Sequence, residues 1–212
     1  SALGARTDLL APAGCPNQLV FSGWWRVITV VAAQVLIRAM SAADVPAVRA
    51  LDALVQPSPW SEEFLREQLV DTASRTLLVA EGPDGSQVGH AALVVLADEG
   101  HVTSIAVDPA HQRSGIGSRI LAALCRDALA RGLSALTLEV RASNSAAIGL
   151  YRQFGFAPAG VRPRYYVDPD GLTEDALVLW IHDMSDPVFL LAVETAGVEA
   201  DGGFADRTRR SF

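Results

Sequence analysis

The hexapeptide Gln112-Arg113-Ser114-Gly115-Ile116-Gly117 has the composition of an anion cradle. It falls between a run of strand character and an amphipathic helix, and its two glycines let the main chain come close to a ligand with N–H groups facing outward. A helix beginning there adds partial positive charge, so a pyrophosphate fits the turn. Two other nucleotide readings fail on residue type. A dinucleotide fingerprint needs a third glycine where Ile120 stands, and a Walker loop needs a lysine, whereas all 17 basic residues here are arginine. The lack of lysine also excludes Schiff-base chemistry.

A second group of candidates follows within Leu138–Phe156. Alternation along a strand puts Leu136, Leu138 and Val140 on one face and Glu139 on the other. By residue type alone, Glu139 is an exposed carboxylate or a base. Tyr151, in helical register with Ala147 and Phe154, is a packing aromatic or an acid, and Asn144 is a helix cap or a ligand contact.

The elements that position these residues are readable from periodicity. A strand at Val35–Met40 precedes Ser41-Ala-Ala-Asp44, which resembles a capping box with Asp in place of Glu. Val45, Val48, Leu51 and Val55 then recur at helical spacing until Pro57 and Pro59 stop the helix. Ser61 caps a second helix, with Trp60 placed to staple against Leu65. Strands at 77–81, 87–96 and 101–107 succeed one another, the first two joined by the Gly82–Ser86 turn. A helix over 116–131 stops at Gly132, a strand covers 136–140, and a helix over 145–154 stops at Gly155. Strands at 156–161 and 176–181 complete the order β-α-α-β-β-β-α-β-α-β-β, which implies a mixed sheet covered by helices.

With these motifs in place, Ile105-Ala106-Val107-Asp-Pro-Ala-His-Gln112-Arg-Ser-Gly115-Ile-Gly117 resembles the acetyl-CoA motif of GNAT acetyltransferases, Q/R-x-x-G-x-G/A after a strand with a local bulge. The resemblance extends over about residues 36–182. It implies the α/β (α+β) GNAT fold, in which a mixed, mostly antiparallel sheet flanked by helices binds acetyl-CoA between splayed strands. It also implies that Gln112, Ser114, Gly115, Ile116 and Gly117 meet the pyrophosphate, chiefly through backbone amides, and that Ile105, Ala106 and Val107 pair with the pantetheine arm. Arg113 is a charge contact or a solvated arginine.

The stretch Leu138–Phe156 is similar to the RimI-type branch, bacterial enzymes that acetylate the N-terminal alanine of a small-subunit ribosomal protein. That resemblance makes Glu139 the general base, Tyr151 the general acid and Asn144 a cofactor contact. Pro59-Trp60-Ser61, Arg162-Pro163-Arg164-Tyr165-Tyr166 and Glu174-Asp175-Ala176 match segments bordering the branch's peptide groove. The chain departs from many relatives in carrying Ser104 where they have Asn. Glu99 is a turn residue or a second base, and His90 and His101 are read as structural or surface residues.

The expected reaction is acetyl transfer from acetyl-CoA to the α-amine of a protein N-terminus, with a ribosomal protein as partner. An α-amine with pKa near ~8 needs only a modest base, whereas a lysine amine near ~10.4 needs more help. Tyr151 then protonates the leaving thiolate. Two alternatives share the cofactor residues: a GNAT acting on lysine, a polyamine or an antibiotic amine, and a non-catalytic acyl-CoA-binding module.

Composition fits this reading. A net charge of −7 and a pI near 5.0 argue against nucleic-acid and anionic-membrane partners. Cys15 and Cys125 form no CxxC pair, so neither zinc nor a disulfide is expected, no metal is assigned, and Cys125 reads as core. The apolar run Val27–Ile37, closed by Arg26 and Arg38, reaches about half the ~20 residues of a spanning helix, so no membrane span is expected, and the two separate cysteines suit a reducing cytoplasm. The expected organisation is an N-terminal extension over 1–34, a catalytic domain over 35–184 and a C-terminal extension over 185–212 with a short strand at 188–193.

Overall fold

The structure is a computed structural model that describes residues 35–198. The segment 1–34, with Cys15 and Trp24-Trp25, and the arginine-rich close at Arg207, Arg209 and Arg210 lie outside the described residues. In chain order the elements are β1 (Leu36–Ala39), α1 (Val45–Val55), α2 (Glu62–Gln68), β2 (Arg75–Glu81), β3 (Gln87–Leu96) and β4 (Glu99–Val107). They continue with α3 (Ile116–Ala130), β5 (Ala135–Arg141), α4 (Ser145–Gln153), β6 (Ala157–Val167), β7 (Thr173–Ile181) and α5 (Pro187–Val198). The strands form one sheet in the order β1-β2-β3-β4-β5-β7-β6, antiparallel except at the β4–β5 pair.

Alternation along the strands supplies two apolar layers. On one face Leu78, Ala91, Leu93, Val102, Leu136, Leu138 and Leu179 join Ile120, Leu121 and Leu124 of α3. On the other, Leu77, Val79 and Ala92 meet Val45, Val48 and Leu65 of α1 and α2, with Trp60 against them and edge-on to Phe64 at 5.2 Å. The Ser61 hydroxyl accepts from Phe64 N as an N-cap should. Cys125 is fully buried, and burial pushes its thiol pKa far upward, so it acts as an apolar core residue.

A bulge at Thr103 decides what faces the cleft. Leu93 pairs with Val102 and Ala92 with Ser104, leaving Thr103 without an opposite residue. The extra residue flips the alternation. Val102 lies on the α3 side before it and Ile105 and Val107 lie there after it, while Ser104 faces α1, where Gln56 Nε2 donates to its Oγ at 3.4 Å.

Three expectations are revised. Residues 188–193 are helical: in α5, Phe189 and Val193 recur four apart and bury against α3, and Arg126 donates to the Val193 carbonyl at 3.2 Å. β6 and β7 each run further than their apolar cores, because their polar ends pair as a hairpin out to Val167 and Thr173. The capping box is half formed. Asp44 accepts from Ser41 N at 2.7 Å, but its carboxylate also accepts from Arg38 Nη1 and Nη2, each at 2.8 Å, and from Gln87 Nε2 at 3.1 Å.

Arg38 binds Glu81 as well, so this cluster ties β1, β2 and the start of α1 together. The Arg38 guanidinium is the largest influence holding the Asp44 carboxyl well below the usual carboxylate range. A depressed folded-state pKa means that the stabilisation is present above the unfolded value of about 4 and is lost as pH falls from there through the folded value. Asp44→Asn is expected to lose about 1–3 kcal/mol in urea unfolding at pH 7, with the gap to the parent protein shrinking below about pH 4.

Candidate active site

The β4–β5 pair is short. Four residue pairs, from Glu99↔Ala135 to Val102↔Leu138, join the strands, and beyond them the strands part. From Ser104 to Val107 the β4 backbone still pairs with β3, and among the described residues its N–H and C=O groups on the far edge have no strand partner. The fork opens at Glu139.

At the open end of β4, Asp108 accepts from Ala110 N at 2.7 Å and turns the chain through a short 3-10 segment, Pro109–His111. Gln112 Nε2 donates to the Val107 carbonyl at 3.1 Å, and the Ser114 hydroxyl donates to the His111 carbonyl. Arg113 and Gly115 both take left-handed backbone angles, φ 62° and 85°, which for Gly115 costs nothing sterically. Gly115 precedes α3 without a side-chain cap, unlike α2 and α4, so among the described residues the first-turn amides of Ile116, Gly117 and Ser118 lack an intrahelical or capping acceptor. A Cβ on Gly117 would stand 3.3 Å from Leu150 Cδ2 and 3.8 Å from Val107 Cγ2, so glycine keeps a narrow space open between α3, α4 and β4. The open edge of β4 thus leads, through residues 108–115, to a helix N-terminus with no side-chain cap, where backbone amides can meet an anion.

Glu139 projects from β5 on the face opposite Leu138, and its side chain is only 7% exposed. His101 Nε2 lies 2.5 Å from its Oε2, and Arg162 Nη2 lies 2.9 Å from its Oε1. The Tyr166 phenol is pushed up to about 12, mainly by burial, with further contributions from Tyr165 and Glu139. Tyr151, on α4, is buried with its ring edge-on to Phe156 at 5.7 Å. Burial, with a smaller effect of Tyr166, pushes its phenol far upward, so it stays protonated throughout the physiological range.

The β6–β7 hairpin walls the cleft. Arg141 reaches Asp168 at 2.6 Å and Glu174 at 3.0 Å, and its guanidinium covers the Tyr166 ring at 4.4 Å. Glu174 also accepts from Ser143 N at 2.7 Å, and Asp175 from Arg164 N at 2.7 Å. These bonds hold the segment at the break in ladder register between Arg162 and Tyr166.

The remaining candidates are sorted by position. Asn144 accepts from Ala147 N at 3.1 Å and so caps α4. Glu99 begins β4 at the closed end of the fork, four residues and about 13 Å along the strand from the level of Glu139. His90 is buried with Nε2 2.6 Å from Asp52 Oδ1, a structural pair. His101 is the site residue that sequence reading passes over. Its signal is indirect: with β4 and β5 in parallel register, His101 lies opposite Thr137, one step below Glu139 on the same face.

Comparison with known proteins agrees with this architecture. Residues 45–156 match the acetyltransferase (GNAT) family. The ribosomal protein bS18-alanine N-acetyltransferase of Escherichia coli strain K12 is 36% identical over 143 residues, covering 68% of this chain and 94% of that protein. The enzyme of the same name from Salmonella typhimurium is 38% identical over 141 residues, covering 66% and 92%. The crystal structure of the Escherichia coli ribosomal-protein-S18-alanine N-acetyltransferase superposes with a TM-score of 0.64 at 33% identity, covering 72% of this chain and 97% of that one. With the forked sheet, the uncapped α3 and a family match spanning both, the chain belongs to the GNAT family and is an N-acetyltransferase.

Proposed function

We propose that this enzyme transfers the acetyl group of acetyl-CoA to the α-amine of a protein N-terminus, with the N-terminal alanine of a ribosomal protein as acceptor. The observation that carries this reading is the placement of one buried carboxylate, Glu139, where the β4–β5 fork opens toward the glycine cradle. The acceptor is taken from the named activity of the Escherichia coli and Salmonella relatives.

The residues present fit acetyl-CoA. The free amides of Ile116, Gly117 and Ser118, with Gln112, Arg113, Ser114 and Gly115 shaping the turn, would hold the diphosphate. The open edge at Ile105, Ala106 and Val107 would pair with the pantetheine amides, and the amide nitrogen of Asn144, whose oxygen is engaged in capping α4, would meet the same ligand. When bound, acetyl-CoA supplies the activated acyl group.

Glu139 takes a proton from the incoming ammonium, directly or through a water, because only the free amine attacks a thioester. An α-amine near pKa ~8 asks little of a carboxylate. Main-chain donors near Ile105 polarise the acyl oxygen, and Tyr151, kept protonated by its burial, gives its proton to the departing thiolate. Trp60 on one side and Arg162, Arg164, Tyr165 and Tyr166 on the other flank the entry for the first residues of the acceptor.

Peptides with either the α-amine or the lysine amine blocked, incubated with acetyl-CoA and analysed by mass spectrometry, test the acceptor class. Acetylation of free alanine α-amines is expected; product on the lysine amine alone would contradict the reading, and CoA binding without any product would point to a binding module. Two substitutions separate chemistry from binding. Glu139→Gln is expected to lower kcat about 100-fold or more while leaving the calorimetric Kd for CoA within about twofold. Gly117→Leu, which fills the gap beside Leu150, is expected to weaken CoA binding at least about tenfold.

A further inference from the structure

The chemistry above leaves His101 unused, yet among the described residues it is one of two side chains paired with the Glu139 carboxylate. The two partners are held differently. His101 is 28% exposed and rises from a fully paired part of the sheet, with Val94 opposite on β3 and Thr137 opposite on β5. Arg162 is 56% exposed and sits on the edge strand at the break in ladder register. The Arg162 guanidinium occupies Oε1, the oxygen left open by His101. An arriving ammonium competes with Arg162 for Oε1, and the exposed arginine is the partner free to leave; the imidazole stays.

We infer that His101 is a positioning residue for acetyl transfer, whose Nε2–H fixes Glu139 Oε2 and leaves Oε1 aimed at the acceptor amine. This rests on Glu139 being the base. In the working form the imidazole is neutral, with its proton on Nε2. The acceptor's proton passes to Oε1, the nitrogen lone pair attacks the acyl carbon, and the proton on Oε1 returns to solvent after the product leaves.

The test is kcat and KM with an alanine-starting peptide, together with the calorimetric Kd for CoA, for the parent enzyme, His101→Gln and His101→Phe. His101→Gln keeps an N–H donor and should hold kcat within about threefold of the parent. His101→Phe, with no donor, should lose about tenfold or more in kcat while CoA affinity stays unchanged. Parent-like kcat in both variants, or parallel losses of CoA affinity and Tm, would overturn the assignment. Glu139→Gln run alongside separates the two claims. Full turnover in that variant would remove Glu139 as base and His101's role with it, whereas loss of turnover beside parent-like His101 variants would remove the role of His101 alone.

Discussion

The parting of β4 and β5 after four residue pairs is the constraint on which the site depends. Two parallel strands that stayed paired would satisfy each other's backbone groups and leave nothing for a ligand. Separation leaves unpaired main-chain donors and acceptors along β4, and such groups require a partner when buried. The Thr103 bulge falls where separation begins, and it carries the side chains from one facing to the other, so that Ile105 and Val107 pack toward α3 while Ser104 faces α1. One arm of the fork then leads straight into the uncapped N-terminus of α3, and the other presents Glu139.

A carboxylate as enclosed as Glu139 requires partners, and the fold supplies them from two distances. His101 comes from the neighbouring strand, within the closed part of the fork, whereas Arg162 comes from the sheet edge, across β7. The edge strand is held in reach by Arg141, whose ion pairs with Asp168 and Glu174 and stacking on Tyr166 pin both strands of the hairpin. The wall of the cleft is thus fixed by polar contacts, and the floor by the apolar layer beneath Leu138 and Val140.

Much of this is legible in the sequence because periodicity and punctuation are local. The order from β1 to β7, the Ser61 cap and the glycine turn before α3 follow from residue types and spacing. What is hidden depends on contacts between distant segments. Residues 188–193 are apolar on every side, a pattern that suits a short buried strand as well as a helix; packing of Phe189 and Val193 on α3 decides it. Asp44 looks like a capping residue, but Arg38 and Gln87 share its carboxylate. His101 and Glu139 are 38 positions apart, and only the parallel register brings them together.

If acetyl-CoA lies along the open edge of β4 and against the first turn of α3, amide hydrogen exchange with and without CoA will register it at those two segments. Slowed exchange confined to the amides of Ile105–Val107 and Gln112–Ser118 is the result expected. Protection that appeared elsewhere while these amides exchanged as before would contradict the account.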